Sequence, residues 1–408
     1  MSETTLRTTC AVAGGGPAGM MLGYLLARAG IDVIVIEKHA DFLRDFRGDT
    51  IHPSTLEIMY QLGLDEALLQ RPHQKIHQLS AGFGDRNLPL ADFRPLPVHH
   101  PFIALMPQWD FLDFLAEEGR KLPCFKLLMR HEATGTVEED GKVVGLRVAT
   151  PEGEIAIGCD LVVAADGRRS TLRGCTDLNV EDIGAPMDVL WFSLPRLADD
   201  PAQAIGRVAR GGLFVMIDRG DYWQCGMVIP KGGFDAVRAH GIAAFRGDVQ
   251  RFAPFLGERT RQIENFDAVK LLTVGVDRMP RWHRPGLLFI GDAAHTMSPI
   301  GGIGINLAIQ DAVAAANLLA KPLRRHRVTE TELAKVQKRR EFAVKTTQAG
   351  QVFIQKTLIA PLLDARNEPS PPLIMRLLAV WPWLRRFPAR AVGLGVVQER
   401  VDKAILKA

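Results

Sequence analysis

Three glycines, Gly14, Gly16 and Gly19, stand at the GxGxxG spacing, with Pro17 and Ala18 inside the motif. Glycines so spaced do one kind of chemistry well: they grip a pyrophosphate with the backbone alone. The first permits a tight turn, the second lets the anion approach the main chain, and the third lets a helix pack closely on a strand. The unpaired N–H groups and positive dipole end of that helix then face the phosphates. Glu37, eighteen positions beyond Gly19 and followed by Lys38, is the acid placed to accept hydrogen bonds from an adenosine ribose. This loop alone leaves open which dinucleotide is held.

The elements that must position these residues can be read around them. Thr9–Ala13 is a short apolar run, a helical stretch follows the loop and ends at Gly30, and Ile31–Ile36 is nearly continuous and β-branched. The pattern predicts strand, turn, helix and a second strand buried on both faces of a parallel sheet. A second signal is Leu161 to Ala165 running into Asp166-Gly167-Arg168-Arg169-Ser170-Thr171-Leu172-Arg173. A third is Leu287–Ile290 running into Gly291-Asp292-Ala293-Ala294-His295, then Pro299-Ile300-Gly301-Gly302-Ile303-Gly304-Ile305-Asn306 and an Ala-rich helix to Ala320. Asp292 ends a buried strand, where a carboxylate has little structural reason to be, and a ribityl chain with several hydroxyls would satisfy it. The glycines after it suit close backbone approach. The helix they open would aim N–H groups at a ring edge that gains negative charge on reduction.

Between the second and third signals, Leu190–Leu194, Leu213–Ile217 and Tyr222–Ile229 read as antiparallel strands, the last two joined by an Arg219-Gly220-Asp221 turn. The chain therefore divides into a discontinuous nucleotide-binding unit (1–75, 103–183 and 278–322), a β-rich unit (76–102 and 184–277) and a helical C-terminal region (323–408).

The three motifs, in this order, resemble those of the class A flavoprotein monooxygenases, the single-component aromatic hydroxylases typified by para-hydroxybenzoate hydroxylase. The resemblance covers residues 8 to about 320. It implies an α/β fold: a Rossmann-like FAD-binding domain with an inserted β-sheet substrate domain and a helical C-terminal region. It implies FAD as cofactor, NAD(P)H and O2 as co-substrates, and oxygen transfer to an electron-rich carbon through a flavin C4a-hydroperoxide. By the same resemblance Asp292 contacts the ribityl chain, Asp166 and Gly167 lie by the pyrophosphate, and the Pro299 region lies beside the reactive ring edge. Arg47, with Arg44 as competitor, would pair with pyrophosphate, and Gln108 would lie against the cofactor. His295 is read as a structural hydrogen-bonding group. The family's second-domain sheet roofs the substrate pocket, which makes Phe214, Met216 and Trp223 the pocket candidates. Few charges interrupt those strands, so the expected substrate is an aromatic or otherwise apolar small molecule. No catalytic base is indicated.

The 408 residues are 47% hydrophobic and 24% charged, with 50 basic against 46 acidic side chains. These values exclude a disordered chain, and the mild basic excess with 7% aromatics gives no support for nucleic-acid binding. Five scattered cysteines without a CxxC pair suit a reducing, cytoplasmic setting. No metal-ligand spacing, P-loop or Gly-x-Ser-x-Gly elbow is present. The longest apolar stretch of the tail, Leu377–Leu384, is too short to span a bilayer. The tail mixes apolar residues with arginines, and reads as a helical lid on the domain interface or as a peripheral membrane contact. A monomer or homodimer is expected. Two other enzymes of this fold, a flavin-dependent halogenase and a prenyl-chain reductase, are the alternatives, with a GDP-dissociation-inhibitor-like binding protein as the non-enzymatic one.

Overall fold

The continuous β-branched runs form the buried heart of the protein. In the computed structural model, which describes residues 5–43, 50–84, 86–201, 205–363, 365 and 369–407, they build a six-stranded sheet. Its order is His283–Arg284, Leu287–Phe289, Leu161–Ala164, Cys10–Ala13, Val33–Glu37, Phe125–Met129, parallel except for the first edge. Cys10–Ala13, Leu161–Ala164 and Leu287–Phe289 are buried at every position. Both faces are covered, which explains the lack of polar alternation. Helices Pro17–Arg28, Gln108–Arg120 and Gly304–Arg324 pack together on the core. An antiparallel layer, Glu132–Glu139, Lys142–Thr150 and Gly153–Gly158 with Thr5–Arg7 at its edge, adds Val143, Leu146, Val148 and Ile157 to it. The sequence reading did not separate this layer. Its signal was the Asp140-Gly141 turn, whose φ angles of 50° and 74° suit the twist of a tight hairpin.

A seven-stranded sheet forms the second unit, in the order Lys270–Leu272, Met187–Pro195, Tyr222–Pro230, Gly212–Asp218, Ile205–Ala209, Gln78–Phe83, Arg86–Asp92. The expected hairpin is there: Arg219 N–H donates to the Tyr222 carbonyl at 2.9 Å, and Gly220 takes φ +89°. A three-stranded sheet of Thr50–Ile51, Ile103–Leu105 and Gln74–Ile76 also forms. The helix Glu330–Ile354, started by a Thr329/Glu332 capping box, runs through a wider turn at Gln355–Ile359 into Ala360–Leu363. Ile354, Ile359 and Leu363 pack with Met187, Val189, Val228 and Ile300, so the helical tail covers part of the second sheet. The stretch Ile300–Arg324 has the length and apolarity to cross a membrane, but 72% of its most apolar window is buried inside the protein.

Candidate functional site

The glycine loop adopts the geometry its spacing demands. Gly14 has φ +110°, and a Cβ there would lie 2.4 Å from the Ala165 carbonyl oxygen. A Cβ on Gly19 would lie 1.9 Å from the Gly14 carbonyl oxygen, so this residue lets the helix rest on the strand. Gly16 is different: a Cβ there would meet nothing within 4 Å. Its bareness serves no internal packing and leaves room for an external group. Pro17 starts the helix Pro17–Arg28, which has no side-chain cap and no acidic residue in its first turn, so its N–H end is open to an anion. Glu37 Oε2 accepts from Gly15 N–H at 3.0 Å and Oε1 from His39 N–H at 3.1 Å, which fixes the acid at the loop. Lys38 sits outward, its Nζ 3.6 Å from Glu132.

The second and third motifs are joined by Arg173, a connection the sequence reading did not make. Its Nε donates to the Ala293 carbonyl at 2.6 Å, and its Nη2 to the Asp292 carbonyl and to Asp277 Oδ1, both at 3.0 Å. One guanidinium therefore holds the turn that carries Asp292. Ser170 caps the short helix Thr171–Gly174 by accepting from Arg173 N–H at 3.0 Å. Asp166 is largely buried, and burial raises its carboxyl above the usual range against the lowering by hydrogen bonds from Ser170 and Leu172. Oδ2 accepts from Leu172 N–H at 3.2 Å, while Oδ1 has no partner among the described residues. Gly167 takes φ +82° with open space where a side chain would be. Gly291, at φ +58°, lies between two helices: a Cβ would be 3.1 Å from Ala18 Cβ and 3.2 Å from Ala308 Cβ. The Asp292 side chain is one-third exposed, with Arg168 3.6 Å from its carboxylate.

The glycine-rich loop is tied down from the Thr50 side. A Cβ on Gly302 would collide with Thr50 Oγ1, which instead donates to the Gly302 carbonyl at 2.9 Å. Gly301 and Gly302 have φ +78° and +62°, and the Pro299 carbonyl accepts from Gly302 N–H at 3.0 Å. Gly304 opens the helix Gly304–Arg324, again without a side-chain cap or an early acid, and Ile305 joins the core. The Asn306 side chain is committed to protein: Oδ1 accepts from His52 N–H and Thr55 Oγ1, and Nδ2 donates to the Thr50 and Gly302 carbonyls. The side chain straps two segments together and leaves the backbone of the helix start to face outward groups. Gln108 begins the helix after Ile103–Leu105, the strand that pairs with Thr50–Ile51, and so lies near the same anchor. Arg47, and its competitor Arg44, lie outside the described residues.

Behind Gly291 lies a buried ionic chain. Asp311, fully buried, accepts from Gly291 N–H at 3.2 Å, His295 Nε2 at 2.7 Å and Arg340 Nε at 2.9 Å. Burial would raise its carboxyl, but His295 and Arg340 outweigh that and hold it below the usual range. Arg340 reaches on toward Glu399, which Arg339 also pairs at 2.6 Å. His295 thus makes a buried hydrogen bond to Asp311.

The site offers backbone donors at two open helix ends, an uncrowded glycine and a buried carboxylate oxygen without a partner among the described residues. They fit a dinucleotide with a hydroxylated chain. Comparison with known proteins agrees. The FAD binding domain family matches residues 7–350. A 6-methylpretetramide 4-monooxygenase of Streptomyces rimosus is 33% identical over 358 residues, covering 86% of this chain and 85% of that one. The chain belongs to the FAD-dependent monooxygenases. A 12-dehydrotetracycline 5-monooxygenase/anhydrotetracycline 6-monooxygenase of S. rimosus subsp. rimosus is 28% identical over 319 residues; this chain spans 61% of its length. A p-nitrophenol 4-monooxygenase of Pseudomonas putida shares the fold, with a TM-score of 0.74 at 18% identity over 94% of this chain and 97% of that one. The halogenase, prenyl-chain reductase and GDP-dissociation-inhibitor-like alternatives are not favoured.

In this flavin monooxygenase the expected pocket residues face the wrong way. Phe214, Met216 and Trp223 are wholly buried, packed with Phe192, Phe245 and Phe252 beneath the helices Phe234–His240 and Ile242–Phe252. Strand residues alternate, so a shift of one exchanges the two faces of the sheet. The opposite face carries three rows across neighbouring strands. Val189, Val228 and Leu213 are covered by the helical tail and Ile300. Ile217, in the row with Ser193 and Gln224, meets Phe93 and Leu79. The middle row is Trp191, Gly226 and Val215, where Trp191 and Val215 stay half-buried and Trp191 also packs against the cluster under the helical tail. The Trp191 indole leans over Gly226, with Cζ3 2.9 Å from where a Cβ would be.

Proposed function

We propose that this FAD-dependent monooxygenase uses NADH or NADPH and O2 to hydroxylate a flat, polycyclic aromatic substrate of polyketide type. The observation that carries the substrate class is the apolar, half-buried Trp191–Gly226–Val215 row, which ends at the exposed Lys270 on the edge strand, on the sheet face shared with Ile300. The relatives named for pretetramide and tetracycline oxygenation support the same class.

Bound FAD would supply the redox chemistry, in which a nicotinamide provides two electrons, one atom of O2 enters the substrate and the other leaves as water. The chain's own share is binding, orientation and dryness. Gly16 and the first turn of Pro17–Arg28 hold the pyrophosphate, and Glu37 the adenosine ribose. Asp292 and Asp166 accept hydroxyl hydrogen bonds, with Gly167 leaving room beside them. The start of Gly304–Arg324, after Pro299, Gly301 and Gly302, presents backbone N–H groups to developing negative charge without reorganising. Gln108 borders the cofactor, and Arg47 is assigned to the pyrophosphate by resemblance. No side-chain nucleophile is needed. We also propose the division into the nucleotide-binding segments 1–75, 103–183 and 278–322, the sheet segments 76–102 and 184–277, and the helical region 323–408. Five free cysteines support a cytoplasmic setting.

The test is direct. Protein reconstituted with FAD is given NADPH or NADH and a panel of anthraquinone, naphthacene and simple phenol substrates, with O2 uptake and product mass recorded. Polycyclic compounds should stimulate oxidation and gain one oxygen atom. Stimulation by simple phenols alone would overturn the substrate class, and bound FAD with only H2O2 as product would overturn hydroxylation.

A further inference from the structure

We propose that two short C-terminal helices, Leu373–Val380 and Arg386–Gly393, dock the enzyme on an anionic membrane surface. Their inward residues are accounted for by the fold. Met375 packs with Ala81, Phe83 and Val208, while Ala389, Val392 and Leu394 pack with Ala91 and Phe93 at the outer edge of the second sheet. The outward residues have no such cover. Leu373, Ile374, Val380, Trp381, Trp383 and Phe387 are each between 50% and 71% exposed. Two tryptophans, a phenylalanine and three aliphatic chains at one place exceed the scattered apolar residues of an ordinary surface.

Charge selects the occupant. Residues 369–398 contain Arg376, Arg385, Arg386 and Arg390 and no aspartate or glutamate. The protein's whole net charge of +4 therefore resides in this one segment, and the rest of the chain is balanced. Arg385 is tied to the Leu378 and Ala379 carbonyls and the Arg376 Nε donates to the Pro371 carbonyl at 2.8 Å, but Arg376, Arg386 and Arg390 are all exposed beside the apolar side chains. The Arg386 guanidinium lies over the rings of Trp383 and Phe387, 5.6 and 5.0 Å from their centroids. Aromatic and aliphatic side chains flanked by snorkelling cations suit the boundary between lipid headgroups and acyl chains. A second copy of the chain, placed face to face, would instead set arginine against arginine.

The experiment uses the FAD-loaded full chain, co-sedimented with phosphatidylcholine vesicles that contain or lack phosphatidylglycerol. The bound fraction should be at least about tenfold higher with phosphatidylglycerol at low salt, and should fall as salt screens the arginines. Trp383→Ser with Phe387→Ser should abolish pelleting while FAD content and Tm stay at wild-type values. Arg386→Ser with Arg390→Ser, which leaves the apolar side chains in place, should lower binding to the anionic vesicles alone. Three results would overturn the proposal: no pelleting with either vesicle, equal pelleting of wild type and both variants, or a wild-type dimer that the Trp383/Phe387 variant converts to monomer.

Discussion

Substituting alanine at Gly16 and at Gly19 should have opposite consequences, although both belong to one motif. Gly16 has φ −74° and open space around it, so Gly16→Ala should leave the Tm of the FAD-free protein unchanged. It should still weaken FAD at least about tenfold, because the methyl group occupies the ground the pyrophosphate needs. Gly19→Ala forces a carbon against the Gly14 carbonyl and should destabilise the protein itself by about 3 kcal/mol. Thermal unfolding without flavin and a fluorescence titration with FAD separate the two. Asp292→Ala should likewise lose most FAD affinity; retention of wild-type occupancy would remove it from the ribityl contact. His52 gives a pH signature. Burial lowers its imidazole from 6.5 to about 4, with Nδ1 bonded to the Val392 carbonyl at 2.8 Å. The unfolded chain takes up a proton near pH 6.5 that the folded one refuses, so stability is greatest above that value and declines as the pH falls toward 4. Urea unfolding at pH 7 and pH 5 should show a loss on the order of 1–2 kcal/mol, which His52→Gln should abolish.

The two faces of the second sheet can be told apart by paired substitutions. Phe214→Ala should cost about 3–5 kcal/mol of stability with little change in KM, since its ring packs between Phe192 and Phe252. Trp191→Ala should raise KM severalfold for a polycyclic substrate while costing less stability than Phe214→Ala, because its half-buried indole packs only partly on the Val189 cluster. The strands Leu213–Ile217 and Tyr222–Ile229 were legible in the sequence because their alternation has a period of two. The face was not, because alternation marks two faces without saying what covers either. The deciding elements were Phe234–His240 and Ile242–Phe252, whose Phe245, Val249 and Phe252 line one side of a helix and claim the Phe214 face. The nucleotide grip was legible for the opposite reason. Gly14, Gly16 and Gly19 are each required by a local collision or a local opening, so spacing alone carries the geometry. Arg173 lay inside a recognised motif, yet its grip on the Asp292 and Ala293 carbonyls exists only once two distant segments meet. Asp311 left a faint trace, a lone carboxylate in an Ala-rich apolar helix. Arg340 left none among the charges around it.

Across the whole molecule, the Asp311–Arg340–Glu399 chain binds the Gly291 turn to the helical tail. Arg340→Met should destabilise by about 3–5 kcal/mol, because Asp311 and Glu399 lose a partner they cannot replace with water. The pH dependence has a definite sign. A carboxyl held below its usual range contributes stability above about pH 4 and loses it as the pH falls through its lowered value, so wild type and Arg340→Met should converge in strongly acidic urea titrations. The same chain sets an order of events during synthesis. Glu399 is made more than a hundred residues after Gly291, which Asp311 steadies. A polypeptide still emerging from the ribosome carries a finished glycine grip and an Arg340 whose second carboxylate has yet to be translated. Nascent chains stalled just short of Glu399 should stay colourless in the presence of free flavin, and chains extended well beyond Glu399 should turn yellow.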